Sequence, residues 1–333
     1  MKSIFLGLQE QMEYVYTPEQ IGRLEHEAGL CSRHVYTVEE LAADPARFAD
    51  VDWVFSTWGM PAMTEGQIAA LLPALKGVFY GAGSVQTFAR PFLVRGVRMF
   101  SAWQANAVPV AEMTVAQILL ANKGYFAAMP LHSAGRRAEG LAACRTYPGN
   151  YGCKVGIIAA GQIGRMVIRA LTQRKLQVLV YDPFLSDEDA AALGAQKTDL
   201  PTLFRECQTI SNHLPNIPTT QRMLDYSLFS LMRPNATFIN TGRGAQLVEA
   251  DLVRALQEAP GRMALIDVTD PEVLPEDHVF YRMPNVLLTP HIAGSMQDEV
   301  HRMAEYMLEE FTRVQNGEKP LYEVSLKMLE TMA

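Results

Sequence analysis

The sequence is short of several features that mark particular protein classes. Its four cysteines, Cys31, Cys144, Cys153 and Cys207, form no CxxC pair, so neither a metal site nor a disulfide framework is indicated. It has no basic run, and its formal charge of -7 argues against nucleic acid as a partner. Its apolar stretches carry charge or are too short to span a bilayer, and the N-terminal IFLGL is shorter than the apolar core of a signal peptide. We therefore expect a cytoplasmic protein that binds neither membranes nor nucleic acid.

The stretch from Lys154 to Asp182 has the layout of a dinucleotide-binding unit. An apolar run at 155–158 predicts a buried parallel strand, and the small-residue turn 159–164 leads into a helix with apolar residues at helical spacing. A second apolar run, 178–181, ends on Asp182. A helix N-terminus offers unpaired N–H groups and about half a positive charge, so a pyrophosphate can bind there if no side chain blocks the backbone.

Individual positions in this unit have distinct predicted roles. Gly161 leaves room for the pyrophosphate, and Gly164 lets the helix pack closely on the strand. Asp182 lies about 20 residues further on, where a carboxylate accepts the ribose hydroxyls of NAD and repels the 2′-phosphate of NADP. Ala159 replaces the first glycine of the fingerprint, at a cost on the order of 1 kcal/mol if the turn needs a glycine-like conformation and much less if it is extended. We expect NAD binding to survive; the alternative is a turn that binds no nucleotide.

Alternating strands and helices predict two α/β domains with parallel sheets. In the first hundred residues the predicted strands lie at 4–6, at Val35, at 51–56 and at 77–80, and helices are predicted at 18–28, after a Thr37/Glu40 capping box, and at 64–75. Beyond Asp182, Ser186 and Asp199 begin helices, and strands at 209–214, 237–240, 264–268 and 286–288 complete six strands of a doubly wound sheet.

The remaining segments set the predicted domain boundaries. A helix from a Ser295/Asp298 capping box to Asn316, stopped by Gly317, would return the chain to the first domain. We thus predict a substrate-binding domain made of 1–103 and 293–333 and an NAD-binding domain at 104–292.

Two segments indicate contacts with other parts of the protein or with a second copy. The predicted helix 106–123 is apolar all round, which is typical of a helix buried between domains or subunits. The stretch 124–153 has no clear period. A long irregular segment in a compact protein is commonly functional or an arm onto a partner, so we predict a homodimer.

Three reactive side chains follow the ends of later strands of the second sheet. Arg243 comes after strand 237–240, Glu272 after 264–268 and His291 after 286–288. The carboxyl ends of parallel strands lie at one edge, so we expect these side chains to converge. A guanidinium pairs with a carboxylate and can polarise a carbonyl, and an imidazole supported by a carboxylate can serve as the general acid of ketone reduction. Singly, the arginine could pair with an acid in a turn, and the histidine could cap a helix.

Two loops follow strands of the first sheet, 57–60 and the glycine loop Gly81-Ala82-Gly83. A glycine loop at the carboxyl end of a strand exposes backbone N–H groups to an anion, so we predict that Gly81, Ala82 and Gly83 contact the substrate. The alternative is a simple tight turn. Trp58 is a candidate for the wall of the pocket, together with Met60 and Trp103, although tryptophan is more often a core residue.

The sequence resembles the D-isomer-specific 2-hydroxyacid dehydrogenases, a family that includes phosphoglycerate dehydrogenases and glyoxylate/hydroxypyruvate reductases. The segments that carry the resemblance are GAGS, VGIIAAGQIGR, LVYDP, HLPNIPTT, FINTGRG, LIDVTDPEVLP and NVLLTPHIAGS, of which the last three are the most specific. The resemblance implies a Rossmann NAD-binding domain, a smaller flavodoxin-like domain, and oxidoreduction between a small 2-oxo acid and a D-2-hydroxy acid with NAD.

The resemblance also implies roles for individual residues. Arg243 would bind the substrate carboxylate and keto oxygen, His291 would be the acid/base, and Glu272 would pair with it. The backbone of Gly81 to Gly83 would bind the same carboxylate. The cofactor would be held at its pyrophosphate by Gln162 and Ile163, at its adenosine ribose by Asp182, at its nicotinamide amide by Asp267, and along its groove by His213, Pro215, Thr220 and Thr241.

Two departures from the family pattern and two alternative functions remain. Ala159 replaces the usual first glycine, and Val85 stands where the family often has an aspartate. The family includes a corepressor branch, so a catalytically silent NAD(H)-binding regulatory protein is one alternative; the intact Arg243, Glu272 and His291 argue against it. A formate dehydrogenase relative is a weaker alternative, because that chemistry replaces the glutamate partner of the histidine with glutamine.

Overall fold

The structure, a computed structural model, describes residues 1–330. Its strands are β1 (Ser3–Leu6), β2 (Leu30–Tyr36), β3 (Trp53–Ser56), β4 (Gly77–Tyr80), β5 (Arg98–Ser101), β6 (Lys154–Ile158), β7 (Gln177–Tyr181), β8 (Ala195–Lys197), β9 (Thr209–Asn212), β10 (Thr237–Asn240), β11 (Met263–Ile266), β12 (Val286–Leu288) and β13 (Glu323–Val324).

The α-helices alternate with these strands along most of the chain. They are α1 (Gln9–Val15), α2 (Pro18–Glu27), α3 (Val38–Ala43), α4 (Pro45–Phe48), α5 (Glu65–Leu71), α6 (Ala89–Val94), α7 (Trp103–Asn122), α8 (Tyr125–Ser133), α9 (Arg137–Cys144), α10 (Gln162–Thr172), α11 (Asp187–Ala192), α12 (Leu200–Glu206), α13 (Tyr226–Phe229), α14 (Glu249–Glu258) and α15 (Val300–Gln315). Within residues 1–330, no helix combines the length and the apolar character that a transmembrane span needs.

The chain forms two compact units. The first comprises Met1–Ala107 and the segment from Ser295 onward, and the second comprises Val108–Gly294. The first boundary lies inside α7, a few residues beyond the predicted one. The reason is that Ala105, in the first turns of α7, is buried in the core of the first unit, whereas Ala111, Val115 and Ile118 belong to a core of the second.

The first unit contains a six-stranded sheet in the order β13-β5-β4-β3-β1-β2. The strands pair in parallel except for β13, which is antiparallel to β5. Without β13 this is the flavodoxin-like order. Its centre is aromatic: the Phe79 ring stacks on Phe55 and Phe100 at 5.1 and 4.5 Å, and Phe311 of α15 packs edge-on at 5.4 Å. The buried carboxylate of Glu310 accepts N–H groups of Leu321 and Tyr322 and so holds the segment before β13.

The second unit contains a seven-stranded parallel sheet in the order β12-β11-β10-β9-β6-β7-β8. This is the Rossmann order with β12 added at one edge. One face of the sheet buries a cluster that includes Phe204, Phe229 and Phe238, and the other packs against α7 and α10. The two strand orders confirm the predicted fold class.

Four local predictions from the sequence were wrong in detail. The stretch 124–153 contains α8 and α9 rather than an irregular arm. A Cβ on Gly140 of α9 would lie 3.1 Å from the Ala128 carbonyl oxygen of α8, so small residues form this helix contact and hide the apolar period. The second sheet has a seventh strand, β8, which is short and lies at an edge, so it has no apolar run. The short strand predicted at Val35 is longer than expected, because β2 runs from Leu30 to Tyr36.

The fourth correction concerns the start of α15. Ser295 does not form the predicted capping box, because its backbone N–H donates to the Asn106 side chain at 2.9 Å. The carboxylate of Glu299 instead accepts from the Met296 N–H at 3.0 Å, and α15 begins at Val300. The helix ends at Gln315, before Gly317 with its left-handed φ of +70°. The end of this helix before Gly317 agrees with the prediction.

Candidate active site

The turn between β6 and α10 leaves the N-terminus of the helix open. Gly161 is the N-cap residue, and no side chain caps the helix. A Cβ on Gly161 would meet no heavy atom within 4 Å, so the space beside the backbone is free. Gly164 is the opposite case, because its Cβ would lie 2.1 Å from the carbonyl oxygen of Ala159. This close approach excludes any side chain at 164, and the N–H groups of Gln162 and Ile163 belong to the first helical turn, which has no intrahelical acceptor.

Asp182 lies beside this turn, directly after β7. One of its carboxylate oxygens accepts the Ala160 N–H at 2.7 Å and the other accepts the Phe184 N–H at 2.8 Å. From the other side, Arg165 Nε donates to the Ala160 carbonyl oxygen at 2.8 Å. Asp182 and Arg165 thus both bind the backbone of Ala160, and this fixes the Asp182 carboxylate next to the open end of α10.

Ala159 adopts the left-handed conformation, with φ of +72°. An L-residue with a Cβ pays roughly 1–2 kcal/mol there relative to glycine. We expect Ala159→Gly to raise the free energy of unfolding by up to about 1 kcal/mol, since the relief of strain exceeds the entropy that glycine adds to the unfolded chain. Urea unfolding measures this difference.

Ala160 provides the matched control for that prediction. It has no positive φ, so Ala160→Gly should lower the free energy of unfolding by about 0.4–1 kcal/mol. If both substitutions lowered the free energy of unfolding, the backbone would not be strained at Ala159.

The residues predicted to line the cofactor groove occupy the loops after β9 and β10. The ring of His213 is buried, its Nε2 lies 3.0 Å from Ser211 Oγ, and its Nδ1 has no partner among the described residues. Thr220 Oγ1 donates to the carbonyl oxygen of Pro215 at 2.6 Å. Thr241 is buried with its Oγ1 3.3 Å from Thr114 Oγ1 in α7. These hydrogen bonds hold the loops after β9 and β10 in place.

Burial lowers the pKa of His213 from its ordinary value to about 4. The unfolded chain therefore binds more protons than the folded protein between about pH 4 and 6.5, and stability falls as the pH drops through this window. The loss amounts to about 3 kcal/mol, since each pKa unit corresponds to about 1.4 kcal/mol. Urea unfolding at pH 7 and pH 4.5 should show that His213→Gln loses much less stability on acidification than the wild type does.

His26, which is exposed on α2, gives the comparison for this measurement. His26→Gln should keep the wild-type dependence on pH. An equal loss of stability in wild type and His213→Gln would show that the buried imidazole does not contribute to acid sensitivity.

The loop after β10 carries Arg243. Its guanidinium Nη1 donates to the Gly242 carbonyl oxygen at 2.8 Å. Burial lowers the pKa of Arg243, and the negative charge of Glu272 opposes this shift. A Cβ on Gly244 would lie 2.1 Å from the carbonyl carbon of Thr269, so this glycine lets the arginine loop touch the loop that leads to Glu272.

A buried amide network that the sequence reasoning missed supports the arginine loop. Gln246 Oε1 accepts from the Arg243 N–H at 3.2 Å and from Asn212 Nδ2 at 2.5 Å. Asn240 Nδ2 donates to the Arg243 carbonyl oxygen at 3.1 Å, and its Oδ1 accepts from Asn212. The available signal was that Asn212 and Asn240 are polar residues that end fully buried strands.

His291 and Glu272 form a direct pair in the same unit. His291 Nδ1 lies 2.6 Å from Glu272 Oε1. Because a carboxylate only accepts, Nδ1 carries the proton and Nε2 is left for exchange with a bound molecule. Both side chains are about half exposed, at 46% and 56%. The structure thus brings His291 onto Glu272 and places Glu272 within electrostatic reach of Arg243.

The glycine loop belongs to the first unit and follows β4. The Gly81 N–H donates to the Ser56 carbonyl oxygen at 2.8 Å, which corrects the expectation that all three amides are available. Ser101 Oγ lies within hydrogen-bond distance of the carbonyl oxygens of Ala82 and Gly83. Across residues 1–330, the N–H groups of these two residues have no partner. Trp58 is half-buried and its ring stacks on Tyr14 at 6.3 Å.

A family model described as the NAD binding domain of D-isomer specific 2-hydroxyacid dehydrogenase matches residues 124–293, just over half of the chain. The chain belongs to this family. The D-isomer specific 2-hydroxyacid dehydrogenases were the family that the sequence motifs predicted, and the matched region is their NAD-binding domain. NAD is therefore the cofactor of the second unit.

Individual members of the D-isomer specific 2-hydroxyacid dehydrogenases match parts of the chain. D-3-phosphoglycerate dehydrogenase of Methanocaldococcus jannaschii is 28% identical over 229 residues, which cover 67% of this chain and 42% of that protein. Glyoxylate/hydroxypyruvate reductase A of Yersinia enterocolitica is 36% identical over 146 residues, or 44% of this chain and 47% of that protein. The aligned regions therefore span less than half of each relative.

A solved structure shares the fold over nearly the whole chain. The apo form of D-mandelate dehydrogenase from Rhodotorula graminis superposes with a TM-score of 0.82 and 20% identity, covering 97% of both chains. At this identity the likeness shows a common fold.

Proposed function

We propose that the protein reduces a small 2-oxo acid to a D-2-hydroxy acid with NADH, or catalyses the reverse oxidation. The observation that carries the proposal is the contact between His291 Nδ1 and Glu272 Oε1 in the NAD-binding domain that also carries Arg243. A general acid held by a carboxylate and an arginine for the acid end of the substrate are the groups that this reaction needs.

The residues of the second unit fit the cofactor. The open space at Gly161 and the unpaired N–H groups of the first turn of α10 suit a pyrophosphate, and the fixed carboxylate of Asp182 suits ribose hydroxyls. The carboxylate would repel a 2′-phosphate, so we propose a preference for NAD over NADP. When bound, NADH supplies the hydride for the carbonyl carbon.

The protein side chains then act on the substrate. Arg243 pairs with the substrate carboxylate and polarises the keto oxygen. His291 Nε2 donates a proton to that oxygen as it becomes an alkoxide, which is typically worth about 10²–10⁴-fold in rate. In the reduction His291 starts as the imidazolium, with protons on both ring nitrogens, and is left as the neutral Nδ1–H tautomer, which takes the proton back in the reverse oxidation. Glu272 stabilises the imidazolium and holds Nδ1–H in both forms. In the first unit, the N–H groups of Ala82 and Gly83 have no partner among residues 1–330, so the glycine loop offers donors for an anion.

The experiment is to follow NADH oxidation with glyoxylate, hydroxypyruvate, pyruvate and longer 2-oxo acids. We expect turnover of at least one acid, much slower turnover with NADPH, and reverse reaction with the D but not the L isomer of the product. NADH binding without turnover of any acid would contradict the proposal and favour the silent regulatory protein. The glutamate at 272 speaks against the formate dehydrogenase alternative.

We further propose that the protein is a cytoplasmic homodimer that uses α8 and α9. Their exposed apolar side chains, Tyr125, Met129 and Leu141, are between 41% and 45% accessible, which suits a covered surface. Small-angle scattering at micromolar concentration should give a dimer, and Leu141→Glu combined with Met129→Glu should give a monomer. A monomeric wild type would refute this.

A further inference from the structure

The carboxylate of Asp267 makes three hydrogen bonds to the loop that carries His291. Asp267 follows β11 and is 4% exposed. Its Oδ1 accepts Thr289 Oγ1 at 2.6 Å and the Ile292 N–H at 2.9 Å, and its Oδ2 accepts the Ala293 N–H at 2.9 Å. One side chain therefore binds both flanks of His291.

His291 itself has an unfavourable backbone conformation. Its φ is +56°, in the left-handed region that a residue with a Cβ seldom adopts. Its N–H donates to the carbonyl oxygens of Asp267 and Thr289, both at 3.0 Å. Strained conformations of this kind persist only where the surrounding structure enforces them. The contacts that enforce this one come largely from Asp267, through both its side chain and its main chain.

We propose that Asp267 is a positioning residue for His291: its carboxylate holds the loop 289–293 in the strained conformation that brings His291 Nδ1 onto Glu272. This inference rests on the proposed function, since it concerns the proton donor of that reaction. It differs from the role that the family resemblance implies for Asp267, which is to hold the nicotinamide amide.

The two roles make different demands on the carboxylate. Three of about four acceptor positions are already filled by the loop, so at most one remains on Oδ2 for a cofactor amide. If Asp267 acts as a clamp, that is, by holding loop 289–293 through its hydrogen bonds, its effect does not depend on whether the cofactor carries an amide. If Asp267 acts by binding the nicotinamide amide, its effect disappears when the cofactor lacks that group.

The test compares NADH with its reduced 3-acetylpyridine analogue, in which an acetyl group replaces the amide. Asp267→Asn places an amide nitrogen, which cannot accept, where Oδ2 accepts the Ala293 N–H, so one flank of the loop loses its partner. We expect kcat to fall about 100-fold with both cofactors, as expected for a misplaced acid. The dissociation constant for NADH should change less than about threefold, since a clamp on the loop leaves the turn beside Gly161 untouched. A loss of kcat seen only with NADH, or no loss at all, would overturn the proposal.

Thr289 gives a milder variant that keeps the carboxylate in place. Thr289→Val removes one of the three hydrogen bonds and should lower kcat about 10-fold, whereas Thr289→Ser keeps the hydroxyl and should restore most of it. Asp270→Asn is the matched control, because Asp270 is an exposed acid on the same segment. Equal activity of Thr289→Val and wild type would count against the clamp even if Asp267→Asn failed to fold.

A measurement independent of turnover separates this proposal from the proposed function. Nitrogen NMR of histidine-labelled protein reports the tautomer of each imidazole, and His291→Gln identifies the signal of His291. We expect the Nδ1–H tautomer in the wild type and a mixture in Asp267→Asn. If the wild type reduces no 2-oxo acid, the proposed function fails while this result still decides the clamp; an unchanged tautomer in Asp267→Asn would refute the clamp alone.

Discussion

His291→Ala should lower kcat for 2-oxo acid reduction about 10²–10⁴-fold while the dissociation constant for NADH changes little. The reason is that the imidazole pairs with Glu272 and, in the proposed mechanism, donates from Nε2 to the substrate, whereas the cofactor turn lies between β6 and α10. Steady-state kinetics and fluorescence titration with NADH measure the two quantities separately.

A second histidine-glutamate pair in the same unit supplies the control. His278 Nε2 lies 2.7 Å from Glu249 Oε1, and both side chains are partly buried. His278→Ala should leave kcat within about twofold of the wild type, because loss of a structural pair alone does not remove a general acid. If His291→Ala reduced 2-oxo acids at the wild-type rate, the assignment of the proton donor would be wrong.

Arg243→Lys should raise KM and lower kcat, so that kcat/KM falls about 10–100-fold. Lysine keeps the positive charge but lacks the planar fork that binds a carboxylate in two places, and a hydrogen bond to a charged group is worth about 1.5–3 kcal/mol. The loop should remain intact, because Gln246 and Asn240 bind the backbone of residue 243 and not its side chain. Initial rates over a range of 2-oxo acid concentration resolve the two parameters.

Arg254→Lys serves as the matched substitution. Arg254 forms an exposed ion pair with Glu258 within α14, and such pairs contribute little. Its kcat/KM should equal that of the wild type. A lysine at 243 that left KM for the 2-oxo acid unchanged would show that the guanidinium does not bind the substrate.

Much of the fold could be predicted because strands of a parallel sheet are buried on both faces and read as apolar runs. β4, β10 and β12 were predicted with the bounds that the structure has. The capping box of Thr37 and Glu40 was predicted, as was the helix start at Asp199, whose side chain accepts the Thr202 N–H. Such caps involve only neighbouring residues, so the local sequence determines them. The edge strand β8 and the pair α8–α9 were missed because short polar strands and contacts between small residues leave no apolar period.

The reactive groups could be named for a related reason. Arg243, Glu272 and His291 follow consecutive strands, and the parallel order of β10, β11 and β12 places their ends side by side. The supporting roles of Asp267 and Gln246 could not be predicted. Both side chains bind backbone groups of the loops that carry His291 and Arg243, and no spacing in the sequence marks such contacts.

The sequence by itself determined the family and the order of most strands and helices, since these depend on residue type and local pattern, and it marked Arg243, Glu272 and His291 as the side chains that we propose carry the chemistry. Only the tertiary structure decided that Ala159 and His291 are left-handed, that the Gly81 amide is already bonded, and that Asp267 grips the loop of His291. Backbone conformation and hydrogen-bond pairing at these positions are imposed by neighbours that lie distant along the chain, so they exist only once the sheets have formed.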